Sequence, residues 1–256
     1  MNTTHRTGTS TRSLHAAAAA ALTALAAQAL AAESCTVSST SAAPPVVELY
    51  TSEGCNSCPP ADRWLSGLKA DPSVVALAFH VDYWDRLGWK DRFGSASYTR
   101  RQAEQQATNG ARFSYTPQVV VDGRDRTDWP ALRTPFPARR APSAVDVTVQ
   151  RNGAQVTATV SARAGAPAQL AAYWALTEQD HTSAVQAGEN AGVTLHHDYV
   201  VRDYRPVTAW SAAPGAAHAL AYTLPAGATA SHPRTVNLVI VDAADGRPVQ
   251  AVKTAC

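Results

Sequence analysis

Cysteine is scarce, and its arrangement excludes more than its number does. Of the four cysteines, two form Cys55-Asn56-Ser57-Cys58 and the others, Cys35 and Cys256, lie far out toward the ends. A second C-x-x-C, which would argue for a zinc site, is missing. Excess charge is missing as well, since 22 Lys+Arg stand against 20 Asp+Glu. A nucleic-acid partner therefore has no electrostatic motive. Long apolar runs are limited to Leu14 to Leu30, which is too short and alanine-rich to favour a permanent membrane anchor. No cysteine directly follows it, so lipid attachment there is not expected.

That apolar run has the setting of an export signal over residues 1–31. His5, Arg6 and Arg12 form a basic segment before it, and Ala29-Leu30-Ala31 offers a small-residue cleavage site. Cleavage removes Arg6 and Arg12, which leaves 20 basic against 20 acidic side chains. The expectation is a periplasmic or secreted protein with no stable membrane span after cleavage. In an oxidising compartment an even set of cysteines reads as disulfides. Cys35 and Cys256 are the candidates for a structural staple tying the two ends to the body, the alternative being that both are free or pair with another molecule.

Cys55-Asn56-Ser57-Cys58 follows a short apolar run, Val46 to Tyr50, and precedes a helix-like stretch. A sulfur at a helix start meets unpaired backbone N–H groups and the positive end of the macrodipole, so it ionises more easily. Two intervening residues let one sulfur attack a disulfide and the other resolve the intermediate. The competing reading is a structural disulfide or half of a zinc site.

Alternating strand and helix run from Pro44 to about Pro137. Val46 to Tyr50 predicts a buried strand, Ala61 to Leu68 a helix with Trp64, Leu65 and Leu68 on one face, and Val74 to Val81 a second buried strand parallel to the first. A loop with Tyr83, Trp84 and Trp89 follows, then a polar helix from about Ser97 to Thr108. Val119-Val120-Val121 with Asp122-Gly123 starts a hairpin headed by Thr116-Pro117.

A C-x-x-C after the first strand and a Thr-Pro heading a later strand resemble the thioredoxin superfamily. More closely, Tyr50 to Cys55 with Cys58-Pro59-Pro60-Ala61-Asp62, Phe79 to Asp85 with Gly88 to Asp91, and Tyr115 to Gln118 are similar to a secreted thioredoxin-like family called domain of unknown function 1223. The resemblance implies that Cys55 attacks, Cys58 resolves and Pro117 is a cis-proline aligning an extended substrate. It supplies no substrate. Gly54 departs from the tryptophan common there, and Pro59-Pro60 predict that the helix proper begins near Pro60, with Cys55 just outside it.

Accessory candidates surround this dithiol. His80 and Asp82 flank Val81 at a strand end, so alternation points both to one side, where either could shuttle a proton. A hydrogen-bonded strand-end histidine and a loop-capping aspartate explain them equally well. Thr116 sits beside Pro117. Trp84, with Tyr83 and Trp89, is placed to form an aromatic wall for a ligand or to pack on the protein's own core.

After the proline-punctuated Pro135 to Pro142, period two takes over. Val145 to Val149 and Val156 to Val160 alternate around Asn152-Gly153, and further strands are expected at Leu170 to Leu176, Thr194 to Tyr204, Ala219 to Leu224, Thr235 to Val241 and Val249 to Lys253. Glu189-Asn190 and His196-His197-Asp198 are the polar concentration there. Adjacent histidines on opposite strand faces make a poor ligand set, so hydrogen bonds holding strands are preferred to a metal.

The expected fold class is α/β: a thioredoxin-like dithiol domain over residues 44–137, then a mostly β immunoglobulin-like sandwich over 143–256. The expected function is thiol-disulfide exchange on a protein or peptide partner, with no cofactor and no metal. Two alternatives remain, a copper-binding metallochaperone using Cys55, Cys58 and His80, and a secreted binding module whose disulfide is structural.

Overall fold

The computed structural model describes residues 1–5, 34–133, 135–136, 142–226 and 232–254. The signal segment expected over 1–31 lies, beyond its first five residues, outside the described residues, and so does Cys256.

β1 (Ser34–Ser38) leads into β2 (Val46–Thr51), and β2 runs parallel to β3 (Val75–His80) in register from Val46 opposite Val75 to Thr51 opposite His80. Every residue of both strands is buried, as continuous apolar runs in a sheet covered on both faces require. The crossover is α1 (Pro59–Gly67), extended by a tight 3₁₀ turn over Leu68–Ala70. Ala61, Leu65 and Leu68 pack on Val47, Leu49, Ala78 and Val119, and burying a leucine of this kind stabilises by about 1.5–3 kcal/mol. Prolines at the first two helical positions start α1 at Pro59, one residue earlier than expected, with Cys58 capping it and Cys55 outside.

β4 (Gln118–Val121) pairs antiparallel with β2 and turns back at Asp122-Gly123 into β5 (Arg124–Asp125). Both turn residues have positive φ, 51° and 75°, the pattern of a type I′ hairpin. Between β3 and β4 lies α2 (Ala96–Thr108), whose Ser95 side chain accepts the Ser97 N–H. Its sequence is polar because only one stripe, Tyr98, Arg101, Gln102 and Gln105, is buried. Arg101 lies in the interior, ion-paired to Glu48, which also accepts hydrogen bonds from Tyr50 and Tyr173.

β6 (Val145–Asn152) and β7 (Gln155–Ala162) form the expected hairpin, flanked by β1 on one side and β12 (Ala217–Thr223) on the other as a four-stranded sheet. Their inward valines face Leu170, Trp174, Leu176, Leu238 and Ile240 in one core, where Trp174 stacks on Tyr222 at 5.5 Å between ring centres.

The opposing strands are where the expected fold class fails. β8 (Gln169–Glu178), β11 (Val200–Ser211), β13 (Arg234–Asp242) and β14 (Pro248–Thr254) do not close a separate sandwich. They continue into the first half as one eight-stranded sheet of order β14-β13-β8-β11-β3-β2-β4-β5. The joint is Val200, which pairs parallel with Ala78 of β3 and antiparallel with Glu178 of β8, while the Ala78 N–H donates to Tyr199 O at 2.8 Å. The described residues are mostly strand with two α-helices, so an α/β thioredoxin-like fold followed by an immunoglobulin-like sandwich is not what this chain builds. The physical reason is that β3 would otherwise be the open edge of the sheet, and β11 joins it there at Ala78.

The single strand expected over Thr194 to Tyr204 is divided. β9 (His181–Ala184) pairs with β10 (Thr194–His197) in a small separate sheet, and a positive φ of 57° at Tyr199 turns the chain into β11. β10 packs against α1. Among the described residues no helix is long and apolar enough to cross a membrane.

Candidate functional site around Cys55 and Cys58

Cys55 and Cys58 are joined by a disulfide with Cα atoms 5.5 Å apart. Both are fully buried, while Asn56 and Ser57 between them are exposed. The helix start supplies fewer donors than its position suggests. Pro59 and Pro60 have no N–H, and the Ala61 and Asp62 amides both donate to Cys58 O, at 2.9 and 3.1 Å. The polar groups that reach sulfur are instead hydroxyls: Thr116 Oγ1 donates to Cys55 Sγ at 3.3 Å, and Ser57 Oγ lies 3.3 Å from the same atom.

Thr116 is held in place by Trp84, whose indole N–H donates to its hydroxyl at 2.9 Å, and the Thr116-Pro117 peptide is cis. Gly54 packs against the Cβ and backbone of Trp84; a Cβ there would meet Trp84 Cβ at 2.9 Å, so the loop tryptophan takes the room that a side chain at position 54 would need. Trp84, Thr116, Pro117 and Cys55 are therefore brought together. Tyr83 packs on Trp84 at 6.2 Å between ring centres. Trp89 points elsewhere in the same site and donates to Glu53 Oε2 at 2.7 Å.

His80 and Asp82 separate. His80 is fully buried, with Nδ1 2.7 Å from Asp91 Oδ2, whereas Asp82 Oδ1 accepts the Thr99 hydroxyl at 2.6 Å and caps the approach to α2. Burial would raise the Asp91 carboxyl, but His80 and the Glu53 and Phe93 amides outweigh it and hold it at about 2.

The polar segment of the second half closes over the dithiol. Asn190 Nδ2 donates to Glu53 O at 2.8 Å and Cys55 O at 3.0 Å, and Glu189 Oε2 accepts the Asn56 N–H at 3.1 Å. His196 is exposed beside the Thr182 hydroxyl, Asp198 pairs with Lys69 at 2.6 Å, and His197 turns inward. Its Nε2 lies 3.6 Å from Glu53 Oε1 and its Nδ1 3.8 Å from Asp62 Oδ1. Burial works against a charge on His197, yet Asp62 and Glu53 together push it up to about 9. Asp62, His80 and His197 offer ligand atoms all within 4.8 Å of one another.

Sequence reasoning did not assign Glu53, Asp62 and Asp91 to the site. One local signal exists, the four-residue spacing that puts Asp62 on the same face of α1 as Cys58. The encounter with His197 depends on β10 packing against α1, which no local pattern reports. Cys35 lies 3.2 Å from the Thr254 hydroxyl at the end of β14; its expected partner, Cys256, is outside the described residues.

Residues 46–242 match the family model described as protein of unknown function DUF1223. The chain is similar to the crystal structure of protein AGR_C_4864 from Agrobacterium tumefaciens, with 27% identity, a TM-score of 0.61 and coverage of 84% of this chain and 95% of that one. HBP35 of Porphyromonas gingivalis shares the fold at 12% identity and a TM-score of 0.58, over 85% of this chain and 76% of that one. No curated protein matches the chain.

Proposed function

The chain belongs to the DUF1223 family, whose description prescribes no reaction, and we propose from the site's own geometry that it is an exported thiol-disulfide oxidoreductase acting on a protein or peptide partner. The observation that carries this reading is the Thr116 hydroxyl donating to Cys55 Sγ, with Ser57 Oγ at the same distance, which makes Cys55 the sulfur whose negative charge is best stabilised.

In the oxidised protein a partner thiolate attacks Cys55 Sγ, the Cys55–Cys58 bond breaks, and Cys58 leaves as a thiolate beside the start of α1. A second partner thiolate then attacks the mixed disulfide and releases Cys55. The partner loses two electrons and gains a disulfide; the dithiol gains those electrons. The reverse sequence reduces a partner disulfide through the same intermediate. Pro117, next to Thr116, is placed beside the partner's backbone. Because both sulfurs are buried, Trp84 and its hydrogen bond to Thr116 form the cover that a partner displaces.

The test is equilibration of the mature protein with glutathione, followed by alkylation and mass mapping of each cysteine. A reversible Cys55–Cys58 couple is expected, with Cys58→Ser trapping glutathione on Cys55, Cys55→Ser abolishing turnover, and Trp84→Ala exchanging faster. Complete burial of both sulfurs favours a second reading, a structural disulfide in a binding module. Resistance to exchange in both the wild type and Trp84→Ala, or undiminished turnover in Cys55→Ser, would establish that reading instead.

A further inference from the structure

We propose that Asp62, His80 and His197 form a buried binding site for a divalent transition metal of the zinc class, separate from the two sulfurs. The three side chains come from α1, the end of β3 and the end of β10, and all three are buried. Their ligand atoms converge within 4.8 Å. A tetrahedral zinc with bonds of about 2.0–2.2 Å places neighbouring ligand atoms roughly 3.4 Å apart. The 3.8 Å between His197 Nδ1 and Asp62 Oδ1 is already close to that spacing, and the wider separations, up to 4.8 Å, close with side-chain movements of about 1 Å.

Unpartnered atoms mark the same place. His80 Nε2, both ring nitrogens of His197 and Glu53 Oε1 are buried with no hydrogen-bond partner. Buried polar atoms are almost always paired, and four orphans in one cluster call for an occupant. A bound ion takes His80 Nε2 and His197 Nδ1 as ligands. It also leaves the His197 Nε2–H to face Glu53 Oε1, 3.6 Å away.

Each imidazole then has the outer partner that metal-bound histidines use. Asp91 Oδ2 holds His80 Nδ1 at 2.7 Å, which fixes the proton there and turns the Nε2 lone pair inward, while Glu53 stands behind the His197 ring. The outer carboxylate and the ligand carboxylate are themselves anchored: Trp89 donates to Glu53 Oε2 at 2.7 Å, and Thr51 Oγ1 to Asp62 Oδ2 at 3.1 Å. Three buried carboxylates around two imidazoles leave negative charge for a dication to offset. Two nitrogens and one oxygen suit Zn²⁺ or Co²⁺ better than Cu⁺, which prefers sulfur.

Titration of the metal-free full chain with Co²⁺, read by visible d–d absorption and by metal analysis after gel filtration, tests the site. One Co²⁺ per chain, displaced by Zn²⁺, is expected, and the Cys55→Ser/Cys58→Ser double variant should bind equally well. His80→Gln and His197→Gln should lose at least tenfold in affinity, and Asp91→Asn 10- to 100-fold, the range typical of an outer-partner substitution. Circular dichroism establishes that each variant is folded. No stoichiometric uptake by folded wild type would overturn the proposal and leave His197 as an imidazolium bridging Glu53 and Asp62. Unchanged affinity in folded His197→Gln, or uptake lost only in the cysteine variant, would overturn it too.

Discussion

Asn190 and Cys55, 135 positions apart in the chain, meet through one hydrogen bond of 3.0 Å from the Asn190 amide to the Cys55 carbonyl. The same amide holds Glu53 O, so one side chain from the second half fixes the backbone on which the Cys55 sulfur is mounted. The dithiol is thus positioned from outside its own strand and helix.

Asn190→Ala should leave the buried Glu53 O without its donor and Cys55 O with the Cys58 N–H alone. Unsatisfied groups of this kind cost about 1–3 kcal/mol each. The expected result is a stability loss of that order in urea unfolding, with faster reduction of Cys55–Cys58 by dithiothreitol. Stability and reduction rate both equal to wild type would show that the Asn190 bonds hold nothing in place.

Arg101→Met addresses the interior ion pair. Glu48 would keep its hydrogen bonds from Tyr50 and Tyr173 but lose the cation paired to it. Removing one partner of a buried pair is destabilising by about 3–5 kcal/mol. A midpoint shift well below 1 kcal/mol in chemical unfolding would contradict the assignment; Arg101→Met together with Glu48→Leu should recover much of the loss.

Acid should weaken the protein through His181. Burial, then the neighbouring charge of His232, lowers its pKa from 6.5 to about 4 against the opposing pull of Glu178. The unfolded chain therefore binds more protons than the folded one between these values, so stability rises with pH across that window and is lost as pH falls from 6.5 toward 4. The contribution is up to about 3 kcal/mol by linkage. His181→Gln should flatten this part of the pH profile of thermal unfolding; an unaltered slope would assign the acid sensitivity to other groups.

The strands of this chain are largely legible locally. Val145 to Val160 alternate in sequence and on the sheet, and the continuous apolar run ending at His80 is a doubly covered strand because both faces carry core. Asp122-Gly123 also adopts its expected turn. What could not be read is which strand lies beside which. Pairing of Val200 with Ala78 leaves no trace in periodicity, so the parts are recognisable in the sequence while the single sheet that joins them is not. The site failed in the same way: His197 reads as one of two strand histidines, and only tertiary packing brings it to Glu53 and Asp62.

Continuity of the eight-stranded sheet has a practical meaning for anyone cutting this gene. A piece ending near Pro137 would keep β2, β3, α1 and the C-x-x-C but lose β11, leaving the Ala78 N–H without Tyr199 O and that side of β3 as the open edge of the sheet. Such an apolar ribbon is a template for stacking with copies of itself. Truncation would therefore yield an aggregating fragment instead of a self-contained dithiol unit, and the short contact at Val200 is the seam along which that failure begins.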